Sequence, residues 1–265
     1  MFYNELKMLE YRLSLLYDVV DYFVICEANV KHTGLPKPFF YLENKEKFQR
    51  YSDKIIHVML TDDNTTWIRN PKNDEAWTNE HNHRNGIAIG INDLINQKKI
   101  GNNPQDLIII SDLDEIPNPK LLSDLKMNNS LNNKGMANLS MDLYYYNLLT
   151  KNNNKWTHAK ILQYHYFMNV MNNEPQKIRL TNFKLTIDGG GWHLSYFGDK
   201  HFVKNKISSF AHTELNTPEF NDIDEIEKKI KNQEDLYNRN EKFVKIPLNQ
   251  NNFLPPNWEY FNYLI

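Results

Sequence analysis

Two aspartates stand two residues apart in the segment Ser111-Asp112-Leu113-Asp114-Glu115-Ile116-Pro117. In an extended chain, side chains at i and i+2 share one face, so both carboxylates point the same way. At roughly 4 Å they repel by about 4 kcal/mol at an effective dielectric near 20, and a proton or a cation must offset this. Mg²⁺ or Mn²⁺ fits best, because such ions keep positions open for phosphate oxygens. The spacing therefore predicts a metal and diphosphate site at Asp112 and Asp114, against the alternative of a solvated turn before a helix.

A second segment combines three glycines with an aromatic residue and a histidine. Gly189-Gly190-Gly191 allows close backbone approach or positive φ and is predicted as a turn. Trp192 would supply a stacking wall for a ligand. His193 could bind the metal, bond a phosphate or satisfy a backbone carbonyl.

A third group of residues offers a base and further ligands. Glu214 is a candidate base for a hydroxyl nucleophile, and the neighbouring His212 is a candidate metal ligand. Asp114 counts as catalytic as well as metal-binding. Glu80 and Arg84 lie four residues apart on a predicted helix, where they either pair at the surface or face a donor molecule. Glu27, at the polar end of an apolar run, is a further candidate for donor binding.

The elements that must position these residues alternate between helix and strand. Continuous apolar runs indicate strands buried on both faces, and leucines at three- and four-residue steps indicate an N-terminal helix ending near Tyr17. The pattern predicts a doubly wound, mostly parallel central sheet flanked by helices, with ligands beyond the carboxyl ends of the strands. Strands are predicted at residues 22–26, 55–60, 106–111 and 136–146, and helices at 45–51, 75–96, 117–127, 200–210 and 223–237.

Composition bounds the class of protein. The 265 residues are 40% hydrophobic and are predicted to form one domain, residues 1–265. A net charge of −2 gives no field that would favour nucleic acid. The single cysteine, Cys26, favours a reducing compartment such as the cytoplasm. Residues 1–18 carry charges among their apolar positions, so neither a signal peptide nor a membrane span or anchor is predicted.

Taken together, several segments resemble glycosyltransferase family 17. The resemblance implies an α/β fold of the GT-A nucleotide-sugar-binding type, UDP-N-acetylglucosamine as the UDP-sugar donor, a divalent metal, a glycan acceptor and inversion at the anomeric carbon. The family's acidic motif falls on Asp112, Asp114 and Glu115, and its Gly-Trp-His-Ser pattern falls on Gly191, Trp192, His193 and Ser195. Animal members have a Golgi membrane anchor and have cysteine where Leu194 stands, so a different acceptor glycan is compatible with this chain. The segments that carry this resemblance are residues 2–6, 18–28, 33–38, 111–117, 190–196 and 206–214.

Two other functions fit parts of the sequence. A phosphohydrolase of the haloacid dehalogenase type also places Asp-x-Asp after an apolar strand, but it expects Thr or Val at Ile116 and an early position in the chain. A carbohydrate-binding protein that keeps the fold without turnover is the alternative that is not an enzyme.

Overall fold

The computed structural model describes residues 1–128, 131, 134–239 and 241–265. These residues form a mixed α/β protein, as the alternating sequence pattern predicts. The helices are α1 (Leu6–Leu16), α2 (Phe40–Asn44), α3 (Ala76–Asn85), α4 (Ile87–Asn96), α5 (Pro119–Asn128), α6 (Tyr164–Asn169), α7 (Pro175–Leu180), α8 (Lys200–Ile207) and α9 (Ile223–Asn232). The strands are β1 (Phe23–Ala28), β2 (Ile55–Leu60), β3 (Leu107–Ile110), β4 (Glu115–Pro117), β5 (Met136–Tyr145), β6 (Thr150–Trp156), β7 (Lys160–Gln163), β8 (Thr186–Ser195) and β9 (Phe243–Lys245). Short 3₁₀ helices lie at Lys45–Tyr51, Asn73–Glu75, Thr213–Leu215, Leu248–Gln250 and Trp258–Leu264.

The strands form two sheets that differ in direction. β1 and β2 pair in parallel, and a seven-stranded sheet runs β3-β7-β5-β6-β9 with β8 bonded to β5 and β4 bonded to β8. Among the described strands of the larger sheet, only β5 and β8 pair in parallel. The predicted parallel arrangement therefore holds for β1 and β2, while the larger sheet is mainly antiparallel. For β5 and β6 the antiparallel direction follows from their short connection, residues 146–149, which is too short for the crossover that parallel neighbours need.

Two apolar cores lie on opposite faces of β1 and β3. Phe23 and Ile25 of β1 belong to the first core with α1 and α5, and Ile109 of β3 packs against it. Val24 packs against the second core, which includes Ile108 and α4. Successive residues of both strands thus alternate between the same two cores, as in neighbouring strands of a sheet with helices on both faces.

The predicted helix at residues 75–96 is two helices that meet at Gly86. Within α4, a Cβ added to Gly90 would lie 2.6 Å from Cγ1 of Val24 and 2.9 Å from Cγ2 of Val58. Glycine therefore lets the helix backbone pack directly on β1 and β2. Across the described part of the chain, no helix combines the length and the apolar character needed to cross a bilayer.

Candidate active site

Pairing between β4 and β8 joins the acidic segment to the glycine-rich segment. Glu115 lies opposite His193 in the antiparallel register, and Leu194 N donates to Asp114 O at 2.8 Å. The glycines predicted as a turn lie inside β8. Gly191 has φ +136°, and an added Cβ would lie 2.0 Å from the carbonyl oxygen of Ile116. Glycine at this position therefore allows the close contact that sets His193 beside Asp114.

Arg12 of α1 holds the acidic turn through its backbone. Its guanidinium donates to the carbonyl oxygens of Asp112 at 3.0 Å and Leu113 at 3.3 Å, to the carbonyl of Glu115, and to Oγ of Ser111 at 2.7 Å. Burial lowers the pKa of Arg12 to about 10, which leaves it charged at neutral pH. The turn is thus fixed from the side of the first core.

Two arginines neutralise Asp112 and Glu115. Arg179 of α7 bridges them, with Nη2 at 2.7 Å from Asp112 Oδ2 and Nη1 at 2.6 Å from Glu115 Oε2. Arg84 of α3 reaches Asp112 Oδ1 at 3.3 Å and Glu80 at 2.8 Å, and also donates to Gln176. The predicted pair of Glu80 and Arg84 therefore exists and faces the acidic segment.

Asp114 has its own basic partners. Lys206 Nζ of α8 lies 2.9 Å from Asp114 Oδ2 and 3.3 Å from Glu5, while His193 Nε2 lies 3.5 Å from Asp114 Oδ1. His193 Nδ1 is buried and has no hydrogen-bond partner among the described residues. A side chain with a free buried nitrogen in a cavity wall is suited to a ligand.

Basic neighbours keep both aspartates ionised. Burial alone would raise the pKa of Asp112, but Arg179 and Arg84 outweigh it and hold that pKa well below its usual range. Burial acts likewise on Asp114, and Lys206 and His193 hold its pKa low. Burial also raises the pKa of Glu5. The site is therefore a cluster of compensated charges, and the repulsion expected between Asp112 and Asp114 is offset by protein cations.

Because these charges stabilise one another, we expect the folded protein to lose stability in acid. Because the folded-state pKa values of Asp112 and Asp114 lie below the ordinary 3.8, their stabilisation is fully present above that pH and is lost as pH falls toward the folded values. Each carboxylate contributes a slope of up to about 1.4 kcal/mol per pH unit in that window. Urea unfolding near pH 6, 4 and 3, in buffer that contains a chelator, measures how the free energy of unfolding changes with pH. Equal free energies of unfolding near pH 4 and 3 would contradict the assignment.

The cluster lines a cavity of about 610 Å³, called here the site cavity. Trp156 forms part of its wall: its Nε1 donates to Glu115, and its ring lies 4.4 Å from that of His193. Lys37, which is buried at 8% exposure, and Tyr3 lie in the same wall. Six predicted residues line the cavity, namely Glu80, Arg84, Asp112, Asp114, His193 and His212.

The predicted base lies at the rim. Glu214 is exposed, and its Oε1 accepts from or pairs with His212 Nδ1 at 2.7 Å. The His212 ring packs edge-on against Trp77 at 4.4 Å. His212, rather than Glu214, contributes to the cavity lining.

Two predicted donor-binding residues point elsewhere. Glu27 is fully buried, where it accepts from the backbone N of Tyr41 at 2.9 Å and contacts His57 at 3.2 Å. Trp192 faces the first core, stacks on Phe253 at 4.7 Å and donates to its carbonyl at 2.8 Å. Alternation along β8 explains this, because Trp192 and His193 must point to opposite faces.

Sequence reasoning missed most of the basic partners. Arg12 carried a signal, since it interrupts the leucine stripe of α1 three residues after Leu9. Lys206 lies in one of the segments that resemble the family, residues 206–214, but the sequence indicated no role for its side chain. Arg179 and Trp156 gave no signal, because their contacts with Glu115 span 64 and 41 residues of sequence.

Comparison with known proteins assigns the chain to a family. The family model of glycosyltransferase family 17 matches residues 1–243. Beta-1,4-mannosyl-glycoprotein 4-beta-N-acetylglucosaminyltransferase of Homo sapiens is 30% identical over 117 residues, which cover 43% of this chain and 20% of that protein. The protein of the same name from Rattus norvegicus matches to the same extent. The match thus spans about a fifth of the length of these relatives, and no solved structure matches significantly. Because the family model covers most of the chain, the chain belongs to glycosyltransferase family 17.

Proposed function

We propose that this chain transfers N-acetylglucosamine from UDP-N-acetylglucosamine to a glycan hydroxyl, with inversion, in the site cavity. The observation that carries the proposal is the cluster of Arg84, Arg179 and Lys206 around the acidic turn in a cavity of about 610 Å³. Cavities of this size hold small ligands. Family membership and the activity for which the human and rat relatives are named support the sugar and the acceptor class. A GT-A-type nucleotide-binding fold is part of the same proposal.

The diphosphate of the donor belongs beside the two arginines. Guanidinium groups bind phosphate oxygens through paired N–H donors. Arg84 keeps a buried Nε without a partner among the described residues, so it has a donor left for a ligand. In the transition state these cations stabilise the negative charge that develops on the leaving UDP.

A divalent ion fits one part of this site. Asp114 Oδ1 and His193 Nε2 are 3.5 Å apart, longer than a normal hydrogen bond, and both are suitable ligands for Mn²⁺. Both oxygens of Asp112 are already bonded to arginine. Within the described residues, no group of three or more histidine, cysteine, aspartate or glutamate side chains is placed to hold a metal, so a bound ion would also need water or phosphate oxygens as ligands. When bound, Mn²⁺ or Mg²⁺ would neutralise charge on the diphosphate.

The acceptor enters at the rim, where a base is needed. Glu214 orients His212 by the 2.7 Å contact, and His212 contributes to the cavity wall. This pair is suited to remove the proton of the attacking hydroxyl. In this proposal the base lies at the exposed rim, and the diphosphate lies beside the buried arginines.

Calorimetry and thermal unfolding with UDP-sugars test the proposal. UDP-N-acetylglucosamine with Mn²⁺ is expected to stabilise the chain by about 2.7 kcal/mol at a hundred times its Kd, and UDP-glucose is expected to stabilise it less. UDP release in the presence of glycan acceptors measures turnover. Phosphate release from simple phosphomonoesters without turnover of any UDP-sugar would contradict the proposal and favour a phosphohydrolase. Glycan binding that is unaffected by UDP and chelators would favour a protein that binds carbohydrate without turnover.

A further inference from the structure

Two histidines in the wall of the site cavity are in direct contact. Nε2 of His32 lies 3.3 Å from Nδ1 of His83, and Nε2 of His83 lies 3.0 Å from the carbonyl oxygen of Cys26. Both histidines line the cavity together with Glu80. His83 is 3% exposed, whereas the side chain of His32 keeps 17% of its surface accessible. His32 is therefore the member of the pair that a ligand can reach more easily.

The carbonyl group of Cys26 assigns the protons of both rings. A carbonyl oxygen can only accept, so Nε2 of His83 carries a proton and donates to it. Burial lowers the pKa of His83 well below the ordinary 6.5, so the ring is neutral and its Nδ1 is an acceptor. Nε2 of His32 must then donate to that atom. Burial also lowers the pKa of His32, so at neutral pH its Nδ1 is an unprotonated acceptor.

This acceptor of His32 lies close to a second one. Oε2 of Glu80 is 3.8 Å from Nδ1 of His32, which is too long for a hydrogen bond, while Oε1 of Glu80 accepts from Nη2 of Arg84 at 2.8 Å. Among the residues that the structure describes, none donates to Nδ1 of His32 or to Oε2 of Glu80. Two neighbouring acceptors in a partly buried wall favour a ligand that donates to both.

The surroundings limit what this ligand can be. A metal ion or an ammonium group is disfavoured, because the guanidinium of Arg84 already binds the same carboxylate and would repel a second cation. A single hydroxyl has only one hydrogen to donate, whereas two adjacent hydroxyls can give one to each acceptor. Carboxylates recognise ribose hydroxyls in this way in dinucleotide-binding sites. The acceptor pair therefore fits a vicinal diol.

One helix holds the two acceptors in place. Glu80, His83 and Arg84 all belong to α3, and Asn79 of the same helix donates its Nδ2 to the carbonyl oxygen of His32 at 2.9 Å. Asn79 is fully buried. His32 is thus tied to α3 through both its backbone and its ring, so a ligand finds the pair already ordered and loses little free energy in arranging it.

We propose that Nδ1 of His32 and Oε2 of Glu80 bind a vicinal diol of the nucleotide-sugar donor, each accepting from one hydroxyl. The inference rests on the proposed function, which places the diphosphate beside Arg84, the partner of Glu80. The ribose supplies one such diol, and carbons 3 and 4 of the N-acetylglucosamine ring supply another. A ligand that lacks one of the two hydroxyls leaves an acceptor unpaired and is expected to bind at least about tenfold more weakly.

Calorimetry with deoxy ligands near pH 7.5 tests the inference and identifies the diol. If the ribose supplies it, UDP is expected to bind at least about tenfold more tightly than 2′-deoxyUDP. If the sugar supplies it, UDP-N-acetylglucosamine is expected to bind at least about tenfold more tightly than its 4-deoxy analogue. In Glu80→Gln and in His32→Gln the same ratio is expected to fall to about one. Glu80→Gln turns an acceptor into an amide donor, and His32→Gln can still donate to His83 but lacks the Nδ1 acceptor.

Glu227→Gln is the matched control, because Glu227 is an exposed glutamate of α9 that pairs with Lys200 at 2.6 Å. It is expected to keep the wild-type ratio. Each ratio compares two ligands on one folded variant, so general effects of charge and stability cancel.

Three outcomes would overturn the inference. Wild-type ratios near one for both ligand pairs would mean that the two acceptors hold only water, and they would leave the proposed function standing. A large ratio that persists in Glu80→Gln and His32→Gln would assign the diol to other residues. A wild-type chain that binds neither UDP nor UDP-N-acetylglucosamine would remove the proposed function together with this inference.

Discussion

Replacing Arg179 with methionine is expected to lower the free energy of unfolding by about 3–5 kcal/mol. Arg179 bridges Asp112 and Glu115 at 2.7 and 2.6 Å, and Glu115 is fully buried. Methionine keeps much of the apolar stem but leaves buried carboxylates short of a cation, and breaking one side of a buried ion pair has this magnitude. Urea unfolding near pH 7 measures the change.

Lys177→Met on the same helix is the matched control. Lys177 is half exposed and lies 3.9 Å from Glu174, so its loss is expected to change stability by less than about 1 kcal/mol. If Arg179→Met and Lys177→Met unfold at the same urea concentration, Arg179 does not stabilise the acidic turn.

Asp114→Asn is expected to lower kcat/KM for UDP-N-acetylglucosamine by at least about 100-fold, because in the proposed function Asp114 would help to hold the cation that neutralises the diphosphate, and losing one preorganised electrostatic group has this effect. Asparagine keeps the size of the side chain and can still accept from Lys206, which also retains its contact with Glu5. Folding is therefore expected to survive while the charge beside His193 is lost. Steady-state UDP release, with thermal unfolding in parallel, separates the two effects.

Asp21→Asn serves as the control for this variant, because Asp21 is an exposed carboxylate that also pairs with a lysine, Lys126, at 2.8 Å. It is expected to leave kcat/KM within about twofold. A value for Asp114→Asn that is as high as for Asp21→Asn would remove Asp114 from the mechanism while leaving the family assignment intact.

Local pattern predicted the elements better than their assembly. The strand at Ile55–Leu60 and the short helix at Lys45–Tyr51 have the predicted bounds, since an apolar run and its flanking polar residues are local signals. The direction of the larger sheet depends on which strands meet and on loop length, and no residue type records that. The glycines at residues 189–191 were misleading for a related reason. They allow β8 to pack closely against β4, and this requirement can be recognised only when the pairing of the two strands is known.

The candidate site shows the same difference between what residue type and spacing predict and what only the fold shows. Asp112, Asp114 and His193 were found from residue type and spacing, and the structure brings them to one cavity. Their counter-charges come from α3, α7 and α8, which are distant in sequence from the acidic segment. A metal was the sequence-based solution to repulsion between Asp112 and Asp114, whereas the fold supplies Arg84, Arg179 and Lys206 for this purpose. Metal dependence accordingly stays a prediction.

The close pairing of acids and bases in the site cavity has a consequence for the speed of donor capture. The electric fields of opposite charges a few ångströms apart largely cancel far from the site. Salt screens the remaining field, with a Debye length of about 8 Å at physiological ionic strength. The chain as a whole carries a net charge of only −2. We therefore expect the proposed nucleotide donor to arrive by undirected diffusion, with an association rate that varies little with ionic strength. In that proposal, attraction would begin only after the phosphates have entered and compete with Asp112 for its arginines.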